Sequence, residues 1–176
     1  MNSQETPIPT RLQGFPLYKG YLVHFTVWVS DDGTPDFRVV HEANRRECMI
    51  RKLCTLCGQT LEQPLVFIGS PKSVENRIFV DGPMHKECAV YAASVCPYLA
   101  DANYQARSLE SSEKKISKSG TSSVYLACIP GRPDKMALYY TDGYLLFQNQ
   151  GGIYYHSHAP LKVDWNVMPT KCQRKK

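Results

Sequence analysis

Hydrophobic positions in the first half of the chain fall in short runs that are typical of β-strands. Residues 21–29 are rich in β-branched and aromatic side chains, and residues 36–40 resume that pattern after a turn at residues 31–35. Glycine and proline in the turn favour a tight reversal, so these two runs are predicted to form a hairpin. Residues 65–69 and 77–80 are also predicted strands, joined by a polar loop into a second hairpin.

Two segments lack the strand pattern and are predicted to be helices. Residues 42–53 contain no glycine or proline and are rich in good helix formers. Residues 84–98 place Cys88 and several apolar side chains at three- and four-residue spacing, which is typical of a helix with one buried face. Pro97 is expected to end this helix, because the residue before a proline avoids helical geometry.

The last third of the chain changes character twice. Residues 101–123 are rich in serine and lysine and offer little to bury, so they are predicted to be a flexible linker or surface loop. Residues 124–168 are dense in aromatic side chains, and the Asp142-Gly143 pair among them is a strong hairpin signal. Four strands are predicted there, over residues 124–129, 135–141, 144–148 and 153–156.

Two pairs of soft metal ligands stand at metal-binding spacing in the middle of the chain. Cys54 and Cys57 are separated by two residues and followed by Gly58, and His85 and Cys88 have the same separation near a predicted helix start. Three thiolates and one imidazole are a typical donor set for tetrahedral Zn²⁺. The sequence therefore predicts a zinc site made of these four residues, in which turn, hairpin and helix form a treble clef.

These elements together predict an α+β protein with an antiparallel β-sheet and a treble-clef-like hairpin-helix unit stapled by zinc. Residues 13–100 are predicted to form the zinc-binding unit, and residues 124–168 a β-rich segment packed in the same domain. A chain of 176 residues, of which 43% are hydrophobic, is long enough to bury a core of its own.

Two alternatives to this ligand set remain open from the sequence. A Cys-x-x-Cys pair also occurs in thioredoxin-like redox sites, although no βαβ pattern surrounds the pair here. Cys96 could replace His85 if the helix broke early, but in a continuous helix it would lie about 12 Å beyond Cys88. Cys96 is otherwise interpreted as a small buried hydrophobic residue.

Composition and charge give a broad class and leave the partner open. An odd number of cysteines, seven, and the lack of a signal-peptide pattern favour a reducing cytoplasm over disulfide formation. The net charge of +5 at pH 7 is mild, and its basic runs fit either a solvated surface or a nucleic acid partner. The longest apolar stretches are too short to span a bilayer, so no membrane partner is expected.

Two further groups of residues are candidates for function. His156 and His158 alternate along a predicted strand and so share a face, where they could bind metal, transfer protons or simply lie at the surface. The aromatic residues of the last strands could stack nucleic acid bases or pack in the core. Because the sequence holds no recognisable catalytic motif, a binding protein is favoured over an enzyme. The aromatic candidates are Tyr139, Tyr140, Tyr144, Phe147, Tyr154 and Tyr155.

Four short motifs follow one another between residues 15 and 100, and each occurs once. They are Pro35-Asp36-Phe37-Arg38-Val39, Cys54-Thr55-Leu56-Cys57-Gly58, His85-Lys86-Glu87-Cys88-Ala89 and Cys96-Pro97-Tyr98-Leu99. In this pattern the chain resembles a family of small uncharacterised zinc-finger-like proteins of actinobacteria, bacteriophages and prophages, which often have phenylalanine in place of Tyr98. The resemblance implies a zinc site and a bacterial or phage setting, without implying an activity.

The sequence thus predicts a cytoplasmic zinc-binding protein in which structural zinc supports a macromolecule-binding surface. A host or phage protein is the expected partner. Nucleic acid binding through basic segments and an aromatic sheet face is one alternative, and an enzyme that uses His156 and His158 is the other.

Overall fold

A computed structural model describes residues 6–100, 123–125, 133, 135–150 and 152–165. The described residues form short antiparallel strands and a few helices, which confirms the predicted α+β class. The predicted linker and most of the predicted strand at residues 124–129 lie outside the described residues. The helices are a 3-10 turn (Thr10–Leu12), α1 (Glu42–Arg51), α2 (Pro71–Asn76), α3 (Lys86–Val95) and α4 (Pro97–Ala100). The strands are β1 (Leu17–Tyr18), β2 (Tyr21–Leu22), β3 (Val27–Val29), β4 (Pro35–His41), β5 (Leu65–Gly69), β6 (Ile78–Phe79), β7 (Ser123–Tyr125), β8 (Ala137–Thr141), β9 (Tyr144–Asn149), β10 (Gly152–Ser157) and β11 (Lys162–Asp164).

A sheet of β11, β8 and β5 separates two hydrophobic clusters. All five residues of β8 are buried, because successive side chains of this strand point to opposite faces and both faces are covered. On one face, Val66, Leu138 and Tyr140 pack with the cysteines and with α3; we call this cluster the metal-side core. On the other face lies the aromatic core, which consists of Met49, Phe67, Phe79, Tyr139 and Tyr155.

The aromatic core is closed by a second sheet, formed by β6, β10 and β9. Phe79 of β6 lies opposite Tyr155 of β10, and both are almost fully buried. The rings of Phe67 and Phe79 stack with centroids 4.6 Å apart, and Tyr139 lies 5.2 Å from Phe79. Ring packing of this kind contributes beyond the area that it buries.

The predicted first strand is divided in the structure. Residues 21–29 form β2 and β3, with a turn between them, and β2 pairs back onto β1. The amide of Phe25 donates a hydrogen bond to the carbonyl of Leu56 at 3.0 Å, so the middle of this run is bound to the Cys54–Cys57 turn. The predicted hairpin with the following strand is present as the β3–β4 pair, and β4 also pairs with β7.

The hairpin predicted between the two ligand pairs is not what the structure shows. β5 pairs with β8, whereas β6 pairs with β10, so the two strands belong to different sheets. The segment between them is the helix α2 and not the predicted polar loop. Ser70 caps it by accepting a hydrogen bond from the amide of Ser73 at 3.2 Å, and Pro71 occupies the first helical position.

The hairpin predicted at Asp142-Gly143 is also wrong. β8 pairs with β11 and β5, while β9 turns back onto β10 instead. Gly143 allows a close approach here, since a Cβ atom on it would lie 2.6 Å from the ring of His158. The amide of His158 donates to the carbonyl of Gly143 at 2.9 Å, so the Asp-Gly pair forms a corner between the two sheets.

Helix α3 begins and ends close to the predicted positions. His85 is its N-cap and Cys96 its C-cap, so Met84 and residues 97–98 lie outside it. Pro97 begins the separate short helix α4. Within the part of the chain that the structure describes, no helix combines the length and the apolar character needed to cross a bilayer.

Candidate metal centre

The Cys54–Cys57 turn is a tight knuckle held by its own backbone. The amide of Cys54 donates to the carbonyl of Gln59, and the amide of Gly58 donates to the carbonyl of Cys54, both at 2.8 Å. Gly58 has φ of 70°, and a Cβ atom there would lie 2.8 Å from the ring of Phe25. Glycine is therefore required both by the backbone conformation and by this contact.

The second ligand pair is positioned by the anchoring of α3 to the sheet. Met84 exchanges two backbone hydrogen bonds with Val66 of β5, at 2.8 and 3.0 Å, which fixes the residue just before the helix. His85 then caps the helix, and Cys88 follows in its first turn. The three-residue separation places the two side chains on one face of that turn.

The structure brings all four predicted ligands together. One donor atom from each of Cys54, Cys57, His85 and Cys88 lies within 4.8 Å of every other, and all four residues are buried. The Cys57 sulfur is 3.4 Å from Nδ1 of His85, and the Cys88 sulfur is 4.0 Å from the same atom. Tetrahedral zinc with its usual bond lengths separates a sulfur and a nitrogen ligand by about 3.5 Å. The cluster therefore has the dimensions of a metal site.

The other ring nitrogen of His85 fixes the orientation of the imidazole. Nε2 lies 2.9 Å from the carbonyl oxygen of Thr60, which can only accept a hydrogen bond, so Nε2 is the protonated nitrogen. The lone pair is then on Nδ1, which faces the sulfurs. A backbone carbonyl that orients a histidine in this way is a common partner of metal-bound histidines.

The electrostatics of the cluster favour a bound cation. Burial alone would raise the pKa of Cys54, but hydrogen bonds from the thiols of Cys57 and Cys88 outweigh it and hold that pKa well below its usual range. The hydrogen bond to Cys54 in turn raises the pKa of Cys57 to about 11, and bonds to Cys54 and Cys57 raise the pKa of Cys88. A single thiolate thus suppresses ionisation of its neighbours, and only a positive charge would let all three thiols ionise together.

Arg11 links the two halves of the centre from outside. Its guanidinium donates to Glu87 of α3 at 2.7 Å and to Gln59 of the knuckle at 3.0 Å. A third bond reaches Glu62 at 2.7 Å. The hydrogen bonds to Glu62 and Glu87 raise the already high pKa of Arg11, so its guanidinium keeps its charge at any ordinary pH. Nothing in the sequence pattern singled out this residue.

Cys96 is not part of the cluster. It caps the C-terminal end of α3, whereas His85 caps the N-terminal end, so the unbroken helix keeps the two apart. The ligand set that includes Cys96 in place of His85 therefore has no geometric support. Among the described residues, the cluster of three cysteines and His85 is the one group with three or more side chains placed to hold a metal.

The two histidines predicted to share a strand face have different surroundings. His156 lies in β10 with its ring edge-on to Phe147, at a centroid distance of 6.5 Å. His158 lies beyond the end of β10, and its Nδ1 is 3.0 Å from a carboxylate oxygen of Asp142, with both side chains about half exposed.

The aromatic candidates divide between core and surface. Tyr139 and Tyr155 are in the aromatic core, and Tyr140 is in the metal-side core. Phe147 and Tyr154 instead stack on each other across β9 and β10, with centroids 5.5 Å apart. We call the side of the second sheet that carries them the outer aromatic face; its members are Ile78, Leu145, Phe147, Tyr154 and His156.

Comparison with known proteins returned no match to a family model, to a curated protein or to a solved structure. The functional interpretation therefore depends on the geometry and chemistry of the chain itself.

Proposed function

We propose that the protein binds one zinc ion through Cys54, Cys57, His85 and Cys88, and that this zinc is structural. The main observation in support is that four soft donor atoms lie together in a buried cluster whose spacing suits a zinc ion. Four protein ligands complete a tetrahedral shell, so no coordination position is left for water or substrate. A structural metal of this kind would lock the knuckle to the start of α3, as the corresponding parts of a treble clef are locked.

Native mass spectrometry of protein purified without added zinc tests this proposal. We expect a mass increase equal to one zinc ion per chain, which disappears when the protein is denatured in acid. Protein that is folded and carries no metal, or that carries iron in a redox-active form, would contradict it.

The proposed role of the metal-stapled scaffold is to present a surface to another protein. The outer aromatic face supports this role, because it is apolar and open to solvent. Leu145 is 63% exposed, and β9, which carries it, has no charged residue in Tyr144–Asn149. Exposed apolar side chains that lie next to one another mark interaction sites more often than scattered ones do.

Affinity capture from the native host, with a substitution on the face, tests the protein partner. Leu145→Asp places a charge on the outer aromatic face and should abolish capture of the partner. Ile50→Asp is the matched control, since Ile50 is 75% exposed on α1 and belongs to none of the three core clusters. Retention of the same partner by both variants would show that the face is not the docking surface.

Nucleic acid binding is the second candidate function. The stacked pair of Phe147 and Tyr154 supports it, because aromatic side chains on a sheet surface can stack with bases, and the chain has a net charge of +5. We expect Phe147→Ala to weaken binding of a single-stranded oligonucleotide and salt to weaken it further, since bound phosphates release counterions. Absence of a gel shift at low salt would remove this candidate.

The bacterial or phage setting of the protein is likewise a proposal, and it rests on the motifs of the chain. The Cys-x-x-Cys-Gly and His-x-x-Cys-Ala motifs that carry the resemblance to small actinobacterial and phage proteins are also the motifs that meet at the cluster. We therefore assign the protein to that group and to a reducing cytoplasm, where thiols remain available for zinc. An enzymatic role for His156 and His158 has less support, because the two side chains have different partners.

A further inference from the structure

A shallow depression lies beside the N-terminus of α3, next to the metal centre but outside it. Its volume is about 340 Å³, and it is lined by Pro64, Lys86, Tyr140, Leu161 and Lys162. The wall of the depression is almost entirely apolar, and two of the five residues, Lys86 and Lys162, carry an ammonium group at the end of an aliphatic side chain. This combination suits a ligand with a negative head and an apolar body.

The charge around the depression is positive. Lys86 is the first residue of α3, and it forms no ion pair with another described residue. Lys162 lies 3.3 Å from a carboxylate oxygen of Asp164, so the negative charge of Asp164 offsets one of the two positive charges. The N-terminus of α3 adds a partial positive charge to this excess.

Tyr140 supplies a hydrogen-bond donor that no described residue uses. Its side chain lines the depression while the residue is only 7% exposed, and Nζ of Lys162 lies 5.5 Å from the centre of its ring. Within the described part of the chain its hydroxyl has no hydrogen-bond partner. Burial raises the pKa of Tyr140, so the hydroxyl remains a donor at neutral pH.

We propose that this depression binds a small organic oxyanion, a phosphate or carboxylate attached to an apolar group. The oxyanion lies between the ammonium groups of Lys86 and Lys162 and accepts a hydrogen bond from the Tyr140 hydroxyl. The apolar group packs against Pro64 and Leu161. The site does not include the proposed zinc ligands, and it requires only that α3 and the β11–β8–β5 sheet are folded.

Phenyl phosphate is the probe that tests this proposal, with benzoate and phenol as comparison ligands. Calorimetric titration of the protein as purified should show saturable binding of phenyl phosphate and weaker binding of benzoate, which carries less charge. Phenol lacks the charge and should not bind. Added sodium chloride should weaken binding of both anions, because the lysines are exposed to solvent.

Three substitutions locate the binding in the depression. Lys86→Gln and Lys162→Gln each remove one ammonium group, and Tyr140→Phe removes only the hydroxyl. Each should weaken binding of phenyl phosphate by about tenfold, the effect of one lost hydrogen bond to a charged group. Lys72→Gln is the matched control, since Lys72 is an exposed lysine in the first turn of α2 and does not line the depression.

The metal content of every variant is measured in the same preparation, so a damaged metal centre is recognised separately from a lost anion site. Absence of saturable binding to the unaltered protein would overturn the proposal. Equal losses in Lys72→Gln and Lys86→Gln would also overturn it, because they would show attraction to the overall charge. Unchanged affinity in Tyr140→Phe and in both lysine variants would place any binding elsewhere.

Discussion

The two faces of the β11–β8–β5 sheet are covered by different kinds of side chain. The aromatic core on one face is built mainly of large rings, whose centroids lie 4.6–5.9 Å apart in stacked and tilted pairs. The metal-side core on the other face contains three cysteines, with the buried His85 beside them, among aliphatic side chains and the rings of Tyr91 and Tyr140. Buried thiolates are unfavourable unless a cation pairs with them, so a bound metal would add stability to this core. One sheet therefore carries an aromatic core on one face and a candidate metal centre on the other.

The largest effect is expected from removal of the knuckle ligands. Cys54→Ser together with Cys57→Ser should abolish zinc binding and unfold the metal-side core, because structural zinc in small domains contributes about 10 kcal/mol or more. Metal analysis and near-ultraviolet circular dichroism measure the two consequences. Cys96→Ser is the control and should leave both signals unchanged, because Cys96 caps the far end of α3. A double variant that keeps its zinc would remove the distinction between the two faces.

A smaller loss is expected on the opposite face. Phe79→Ala deletes a fully buried ring that contacts Phe67 and Tyr139, and should lower the free energy of unfolding by about 3–5 kcal/mol. Denaturant unfolding measures this loss, and the zinc content of the folded variant should stay at one ion per chain. Phe147→Ala is the matched control on the outer aromatic face and should cost much less. Loss of zinc in folded Phe79→Ala would mean that the two cores are not independent.

The metal-side core should also respond to pH in a way that the aromatic core does not. The hydrogen bond to Cys54 raises the pKa of Cys57 to about 11, and bonds to Cys54 and Cys57 raise the pKa of Cys88, so zinc must displace protons from both at neutral pH. Fewer protons compete as the pH rises, so zinc affinity should increase with pH, by about 100-fold per unit for two displaced protons. Competition with a chelator of known affinity, at several pH values, gives this slope. An affinity that is independent of pH would mean that the sulfurs are not the ligands.

A pair of tyrosine substitutions tests the aromatic core on its own. The hydroxyl of Tyr155 is buried with no hydrogen-bond partner among the described residues, so Tyr155→Phe should leave stability unchanged or raise it by about 1 kcal/mol. The hydroxyl of Tyr139 donates to the carbonyl of His158 at 2.6 Å, so Tyr139→Phe should lower stability by about 1 kcal/mol. Thermal unfolding of the two variants distinguishes them. Equal effects would show that these hydrogen bonds do not govern the stability of this face.

The sequence predicted the ligand cluster better than it predicted the strand pairing. The spacing of Cys54 and Cys57, and of His85 and Cys88, is a local property, and local backbone geometry then places each pair of side chains together. Strand pairing depends on contacts between distant residues, which a single sequence does not display. Asp142-Gly143 has the composition of a hairpin turn, but its glycine serves the contact with His158, fifteen residues further along the chain.

Some local signals were present and were missed. Ser70 followed by Pro71 is a usual beginning of a helix. This pair indicates α2 within a stretch that the sequence analysis predicted to be a polar loop. Arg11 could not have been found in this way, because its partners Gln59 and Glu87 are brought to it only by the fold. Likewise, the depression beside Lys86 exists only because β11 places Lys162 opposite Tyr140.

Thermal unfolding of the purified protein with and without a strong zinc chelator tests the central claim most directly. The claim is that one zinc ion holds the knuckle to α3 and stabilises the metal-side core. The account predicts that the chelator removes one zinc ion per chain and lowers the melting temperature substantially, and that added zinc restores it. Protein that loses its zinc and melts at the same temperature would contradict the account.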